Sequence, residues 1–126
     1  MIIAVDFDGT CVSHEYPEVG FDIGAVPVLK EIIENGHNII LLTMRAQENH
    51  LDDAIKWFKD NDIPLYGANE NPNQKTWSNS RKVYAHLYID DANLGCPLIF
   101  PKTGRAYVDW KKVKEELKKM KIILGE

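Results

Sequence analysis

Several residue patterns that mark particular protein classes are scarce or missing in this sequence. It has two cysteines, Cys11 and Cys96, which are too few for a disulfide framework and match no metal-site spacing, so a reducing compartment is favoured. It has no run approaching the roughly 20 apolar residues of a membrane span. The short apolar run at residues 2–5 lacks the basic flank of a signal peptide. We therefore expect a soluble, cytoplasmic protein without a membrane partner.

An excess of basic residues is also missing. The 126 residues include 19 acidic and 15 basic ones, a net charge of -4, which gives no global attraction to nucleic acid. The lysine-rich segment 111–121 also contains Glu115 and Glu116, a mixture typical of a solvated helix face. Nucleic acid is therefore a partner that the sequence allows but does not indicate. Length and composition predict a single globular domain over residues 1–126.

Short apolar runs typical of buried strands alternate along the chain with segments of helical spacing. The five strand-like segments are residues 2–5, 39–42, 63–66, 83–89 and 98–100. Helical spacing covers residues 25–33 and 51–58, and a last helix has Asp109 as its N-cap and Val113, Leu117, Met120 and Leu124 on its apolar face. Residues 67–80, rich in Asn, Gly, Pro and Ser, are predicted to form a long loop. This alternation predicts a layered α/β fold with a parallel sheet.

Polar residues follow three of these predicted strands. They are Asp6 and Asp8, Thr43 and Arg45, and Asp90 and Asp91. Ligands bind at the carboxyl ends of parallel strands, and residues two apart in an extended backbone, such as Asp6 and Asp8, point the same way. Four carboxylates would repel one another without a cation, and all-oxygen ligands favour Mg²⁺. The cation, the Thr43 hydroxyl and a nearby lysine would then offer a place for a phosphate group.

The residues at these strand ends form an ordered set of motifs. An apolar strand followed by D-x-D-G-T occupies residues 2–10, a second apolar strand ends in Thr43, and a strand ending in paired acids occupies residues 87–91. These motifs resemble the first, second and fourth motifs of the haloacid dehalogenase (HAD) superfamily of phosphatases and phosphotransferases, over roughly residues 2–100. The fold that this resemblance implies is a three-layer sandwich with a central, mostly parallel five-stranded sheet.

The resemblance also implies a role for each acid. Asp6 would be the nucleophile that forms an aspartyl phosphate, and Asp8 would be the general acid and base. Mg²⁺ would be held by the Asp6 carboxylate, the Asp8 main-chain carbonyl and Asp90, with Asp91 reaching it through water. The expected activity is a Mg²⁺-dependent phosphomonoesterase.

The residues around the phosphoryl group follow from the same resemblance. Thr43 would hold the phosphoryl group, and the single Lys or Arg of the family's third motif would balance its charge. We assign that cation to Lys82, with Lys75 and Arg81 as alternatives. The residues expected to contact the substrate itself are Gly9, Thr10 and Arg45.

The chain offers no room for the cap domain that many superfamily members carry. The two places where a cap is inserted correspond here to residues 11–23 and 44–80, and both are too short. The resemblance therefore implies a capless enzyme with an open site. Such a site suits a phosphorylated macromolecular end, or a phosphorylated small molecule if the second subunit of a homo-oligomer covers the site. The residues expected in a short flap are His14, Glu15 and Tyr16, and those expected to contribute to specificity are Asn69, Asn73 and Trp77.

A non-enzymatic phospho-signalling module of the receiver type is the alternative, since receivers also combine an acidic metal pocket, a Thr and a Lys on a parallel sheet. Receivers need adjacent acids after the first strand and an acceptor Asp after the third. Here the first strand ends in D-x-D-G-T, and the third is followed by Glu70 but by no Asp. The order of residues therefore favours the hydrolase.

Overall fold

The computed structural model describes residues 1–46 and 49–124, which form three α-helices, six short strands and one 3₁₀ turn. The helices are α1 (Ala25–Glu34), α2 (Asn49–Asp60) and α3 (Trp110–Lys119). The strands are β1 (Ile2–Val5), β2 (Asn38–Leu41), β3 (Gly67–Ala68), β4 (Leu87–Ile89), β5 (Leu98–Ile99) and β6 (Tyr107–Val108), and the 3₁₀ turn is Gln74–Thr76. Among these helices, none is both long and apolar enough to cross a membrane.

The central sheet has the strand order β3–β2–β1–β4, and all neighbouring strands in it are parallel. Ile3 on β1 lies opposite Ile39 on β2 and opposite Leu87 on β4. The α/β class and the parallel sheet are therefore as predicted. Because β1 and β4 are neighbours, the residues that follow them meet at one edge of the sheet.

The sheet differs from the prediction in its third, fourth and fifth strands, and the fourth is only Leu87–Ile89 of the predicted residues 83–89. Over the described residues it contains four strands instead of five, because β5 pairs antiparallel with β6 in a separate two-stranded sheet. The connection that reverses the chain between β5 and β6 contains Pro101 and Gly104, and the φ of Gly104 is +88°. The third strand is only Gly67–Ala68, later than the predicted residues 63–66, and Tyr66 meets β2 through one hydrogen bond to the carbonyl of Ile39.

The two faces of the sheet are covered differently. Alternate residues of β1 and β2 contribute to two clusters, with Ile3 and Ile39 in the larger and Ala4 and Ile40 in the smaller. The buried residues of all three helices belong to the larger cluster. The smaller cluster is completed from the segment between β3 and β4, including Ala85. That irregular segment stands where the three-layer arrangement would have a second layer of helices.

Helix α3 begins as predicted and ends earlier than predicted. The carboxylate of its N-cap, Asp109, accepts a hydrogen bond from the backbone N–H of Lys112. The helix stops at Lys119, so Met120 and Leu124 are exposed and the buried positions fall to Ile122 and Ile123. The cause is Lys121, whose φ of +61° turns the chain out of the helix.

Helix α3 is also joined to the loop that follows β1. Trp110, its first residue, is buried, and its indole N–H donates a 2.6 Å hydrogen bond to the main-chain carbonyl of Thr10. In the same loop, the carbonyl of Gly9 accepts from the backbone N–H of Val108 on β6. The C-terminal third of the chain therefore supports the D-x-D-G-T loop through these two hydrogen bonds.

Candidate active site

Three carboxylates meet where β1 and β4 end. Asp6 follows β1, Asp90 and Asp91 follow β4, and one oxygen of each lies within 4.8 Å of the others. The backbone N–H of Asp6 donates to the carbonyl of Ile89 at 3.0 Å, so strand pairing continues to the acids themselves. The topology thus brings together three of the four acids that the sequence predicted as a metal site.

The acid cluster (Asp6, Asp90 and Asp91) carries poorly compensated negative charge. Burial and the charge of Asp90 raise the pKa of Asp6 from its ordinary 3.8 to about 7. Burial also raises the pKa of Asp90, and the neighbouring Asp91 adds to that rise. Three oxygen donors within reach of one ion are the ligand type that a hard divalent cation takes. The residues present therefore fit such an ion, although they do not by themselves identify it as Mg²⁺.

Thr10 connects two of the acids, Asp6 and Asp91. Its side chain is fully buried. Its hydroxyl lies 3.1 Å from Asp6 Oδ2 and 3.2 Å from Asp91 Oδ1, and it accepts a hydrogen bond from the backbone N–H of Asp91. The substrate contact predicted for Thr10 is replaced by this bridge, which fixes the Asp6 and Asp91 side chains relative to each other.

Gly9 has a conformation and surroundings that exclude a side chain. Its φ is +78°, and a Cβ atom there would overlap the imidazole of His14 and approach Asp91 Oδ2. The His14 ring is held by a 2.9 Å contact between its Nε2 and the carbonyl of Ala106. Gly9 therefore allows His14 to pack against Asp91, and the substrate contact of Gly9 stays a prediction.

Arg45 and Asp8 form an ion pair in which the guanidinium is buried and the carboxylate is partly exposed. Arg45 Nε donates to Asp8 Oδ2 at 2.9 Å and Nη2 donates to Asp8 Oδ1 at 2.8 Å. Arg45 is 1 % exposed, and its other donors bond the main-chain carbonyls of Pro17, Glu18 and His50. With its donors used inside the protein, Arg45 is not the substrate contact that its position after β2 predicted.

Aromatic rings on both sides complete the surroundings of Arg45. The rings of Phe7 and Tyr16 each have their centre 5.0 Å from the guanidinium carbon. The Tyr16 hydroxyl also lies 3.1 Å from Nδ1 of His50. Tyr16, predicted as part of a flap, is thus packed over the ion pair. The hydrogen bond with Asp8 raises the pKa of Arg45 above its ordinary value.

Thr43 lies at the end of β2, where Asn69 fixes its backbone. The Asn69 side-chain oxygen accepts a 2.8 Å hydrogen bond from the N–H of Thr43, and the Asn69 amide nitrogen donates to the carbonyl of Arg45. The Thr43 hydroxyl accepts a bond from the N–H of Arg45, which leaves its own hydrogen to donate elsewhere. The Thr43 N–H is therefore used by the bond to Asn69, and the predicted phosphate contact of Thr43 is left to its hydroxyl.

Asn69 positions the backbone from Thr43 to Arg45, whereas the sequence predicted for it only a contribution to specificity. It directly follows β3 and has a φ of +56°, a left-handed conformation that Asn tolerates better than most residues. An Asn immediately after a short strand was the available signal for such a turn.

Two of the three candidate cations share a cavity with the acids. A cavity of about 440 Å³ is lined by Asp6 and Asp90 together with Arg81 and Lys82. Lys82 is exposed, and its ammonium lies 5.4 Å from the ring centre of Tyr88. Lys75 lines a neighbouring cavity and not this one. The arrangement can therefore receive a cation on its acidic side and an anion on its basic side.

Two buried amides hold the segment that carries these cations. Gln74 is 7 % exposed; its amide nitrogen donates to the carbonyls of Lys82 and Ser80, and its oxygen accepts from the N–H of Tyr84. The Asn71 amide nitrogen donates to the carbonyl of Tyr84. Neither amide was singled out from the sequence, because polar residues in an Asn-rich loop give no sign of burial.

Comparison with known proteins finds a similar solved structure. Neither a family model nor a curated protein matches the sequence. A solved structure of a conserved protein from Bacteroides thetaiotaomicron matches with 39% sequence identity and a TM-score of 0.78, covering 95% of this chain and 91% of that one. At this identity over nearly the whole of both chains, the protein belongs to the family of that conserved Bacteroides protein.

Proposed function

We propose that this protein is a Mg²⁺-dependent phosphomonoesterase of the HAD type that acts through an aspartyl phosphate on Asp6. The observation that carries the proposal is the cavity at the ends of β1 and β4. Its lining includes Asp6 and Asp90 on one side and Arg81 and Lys82 on the other. A phosphate ester beside a metal ion needs both kinds of charge within one small space.

The metal would be held by the acid cluster and by the main-chain carbonyl of Asp8. The raised pKa of Asp6 supports this assignment, because a carboxylate whose charge is opposed by burial and by Asp90 gains from a neighbouring cation. When bound, Mg²⁺ supplies positive charge that lets an anionic phosphate approach an anionic carboxylate.

Asp6 would be the nucleophile of the first step. One of its carboxylate oxygens attacks phosphorus, and the bond from phosphorus to the ester oxygen breaks, with the electron pair leaving on that oxygen. Thr10 bonds Asp6 Oδ2 and so restricts the orientation of the carboxylate. The Thr43 hydroxyl and the Lys82 ammonium would hold oxygens of the transferred group.

Asp8 would move protons in both steps. Asp8 that has taken up a proton, with one of its two Arg45 bonds released, would give that proton to the departing oxygen. It would regain a proton from the water that attacks phosphorus and releases Asp6. Arg45 would act as its positioning residue, because it holds both Asp8 oxygens and is itself fixed by three main-chain carbonyls. Release of one of these two hydrogen bonds would accompany the proton transfers.

The finer features of the fold belong to the same proposal. The HAD-like architecture is supported by the parallel order β3–β2–β1–β4 and by acids at the ends of the two adjacent strands β1 and β4. A capless, open site would act on a phosphorylated small molecule or macromolecular end, and a second subunit of a homo-oligomer could cover it.

The receiver-like alternative has less support. A receiver would need an acceptor carboxylate at the end of β3. The residue there is Asn69, whose side-chain oxygen is bonded to the N–H of Thr43 at 2.8 Å. The end of β3 therefore carries a neutral amide that bonds the backbone of Thr43, and it carries no phosphate acceptor.

The proposal is tested by hydrolysis of p-nitrophenyl phosphate with Mg²⁺ and with EDTA. We expect Mg²⁺-dependent turnover in the natural protein and a loss of about a thousandfold or more in Asp6→Asn, because the amide is not a nucleophile. Asp60→Asn is the matched control, since Asp60 is half-exposed in its ion pair with Lys56 on α2, and it should leave turnover unchanged. Turnover that survives in Asp6→Asn, or that is insensitive to EDTA, would contradict the proposal.

A further inference from the structure

A second cavity opens beside the one that contains Asp6. Its volume is about 370 Å³, and its wall is the irregular segment between β3 and β4. Arg81, Lys82 and Val83 line both cavities. A small molecule held at Asp6 by one end can therefore place its other end in the second cavity.

The lining of the second cavity is polar and carries net positive charge. Its charged side chains are Lys75, Arg81 and Lys82 against Glu70. Of the described residues that line it, only Val83 is apolar. The uncharged polar ones are Asn69, Asn71, Gln74, Ser78, Asn79 and Ser80. An apolar leaving group would find little to contact there, whereas an anion with hydrogen-bond acceptors would find donors on several sides.

The wall of this cavity is held in place from inside the protein. Gln74 bonds the main chain at Ser80, Lys82 and Tyr84, and Asn71 bonds it at Tyr84. Both amides are 7 % exposed. The cationic side chains therefore project from a backbone fixed by buried hydrogen bonds, which lowers the cost of ordering them around a ligand.

We propose that the second cavity binds a second phosphate group, so that the substrates are small bisphosphorylated molecules. Lys82 would serve the phosphoryl group at Asp6, which leaves Lys75 and Arg81 for the second phosphate. This inference rests on the proposed function for the chemistry at Asp6, but the binding that it describes can be measured without any turnover.

The kinetic test compares bisphosphates with their monophosphates. Glucose 1,6-bisphosphate is compared with glucose 1-phosphate and glucose 6-phosphate, and adenosine 3′,5′-bisphosphate with adenosine 5′-phosphate and adenosine 3′-phosphate. For at least one bisphosphate we expect kcat/KM to exceed that of its monophosphates by about tenfold or more, the gain typical of a charge-assisted contact. No preference for either bisphosphate would overturn the proposal.

Variants locate the preference in the second cavity. Asn79→Asp adds one negative charge at an exposed lining position, and Lys75→Met removes one positive charge; both residues line this cavity and not the one with Asp6. Each should reduce the bisphosphate preference by about tenfold, and Asn79→Asp should leave p-nitrophenyl phosphate hydrolysis unchanged. Lys102→Met, an exposed residue between β5 and β6, is the matched control. A preference that persists in both cavity variants would overturn the assignment.

Calorimetry separates a failure of this inference from a failure of the proposed function. The same bisphosphates and monophosphates are titrated with Mg²⁺ into Asp6→Asn protein, with and without Asn79→Asp. Tighter binding of a bisphosphate, lost with Asn79→Asp, would support the second-phosphate site even if no ester is hydrolysed. A 5′-phosphorylated oligonucleotide is titrated in the same way. If it binds more strongly than either bisphosphate, the assignment to small molecules is overturned.

Discussion

Arg45 and Asp8 are joined by two parallel hydrogen bonds, 2.9 and 2.8 Å long, between residues that follow two different strands. The guanidinium is nearly inaccessible, whereas the carboxylate keeps 20% of its side-chain surface exposed. The pair thus has one member anchored in the interior and one that is partly exposed. Arg45 therefore holds the Asp8 carboxylate in place, and Asp8 is the member of the pair that solvent can reach.

Removal of Arg45 should be strongly destabilising. Arg45→Met leaves the partly exposed Asp8 carboxylate and three main-chain carbonyls without their donor, and each buried acceptor left without a partner costs about 1–3 kcal/mol. Arg45→Lys keeps the charge but not the two-pronged geometry, so it should recover only part of that loss and lower kcat. Urea unfolding and p-nitrophenyl phosphate hydrolysis measure the two effects. Lys56→Met is the control on an exposed ion pair, and equal urea midpoints for Arg45→Met and Lys56→Met would contradict the prediction.

Asp6 should destabilise the metal-free protein at neutral pH. Its pKa in the folded protein is about 7 against an ordinary 3.8, so the folded state keeps a proton that the unfolded chain releases. The free energy of unfolding therefore falls as pH rises through this interval. In EDTA, Asp6→Asn should melt above the natural protein by about 3 °C or more at pH 7.5, with the difference vanishing near pH 3.5. Differential scanning calorimetry across this pH range measures it.

Addition of Mg²⁺ at pH 7.5 provides the complementary measurement. The melting temperature of the natural protein should rise, because the proposed ion would bind the acid cluster of the folded state only. The melting temperature of Asp6→Asn should rise less. Asp60 lies on α2 and is not part of the acid cluster, so Asp60→Asn should respond like the natural protein. A melting temperature of Asp6→Asn that is lower than the natural one in EDTA at pH 7.5 would show that the Asp6 charge is not opposed in the fold.

The hydroxyl of Thr10 should matter more than its methyl group. Thr10→Val preserves shape but leaves Asp6 Oδ2 and the N–H of Asp91 without a partner, which should cost about 1–3 kcal/mol of unfolding free energy and weaken Mg²⁺ binding. Thr10→Ser retains the hydroxyl and should keep the metal affinity. Urea unfolding and calorimetric Mg²⁺ titration distinguish the two, and equal metal affinities in both variants would contradict the bridging role.

Among the three candidate cations, Lys82 should affect catalysis most. Lys82→Met should lower kcat for p-nitrophenyl phosphate by about a hundredfold, as loss of a charge-stabilising donor does in other active sites. Lys75→Met should leave kcat within about twofold, because Lys75 does not line the cavity with Asp6. Steady-state kinetics of the two variants and of Arg81→Met settle the assignment. A larger loss in Arg81→Met than in Lys82→Met would transfer the role to Arg81.

The acid cluster was predictable because it depends on local patterns and one topological rule. Asp6, Asp90 and Asp91 each follow an apolar strand, and parallel strands place their carboxyl ends at one edge. Asp109 was equally predictable as a helix cap, since only its own sequence neighbours are involved. These features follow from periodicity and chain direction alone.

The surroundings of Arg45 could not be predicted in the same way. Its position after β2 looked suited to a substrate, but its burial depends on Phe7, Tyr16 and Asp8, which come from a distant segment. Gln74 was hidden for the same reason, because its partners at Ser80, Lys82 and Tyr84 return to it only after the chain has turned. Polar residues buried by tertiary contacts leave no periodic signal in the sequence.

The hydrogen bond from the Trp110 indole to the Thr10 carbonyl has a consequence for the order in which a newly made chain can assemble. Synthesis delivers β1 and the loop after it first, yet the support for that loop lies 100 residues further along. A nascent chain on the ribosome therefore carries Asp6 without the anchor that holds its loop in place until Trp110 has been synthesised. The support of the acid cluster consequently depends on a residue that is made long after Asp6.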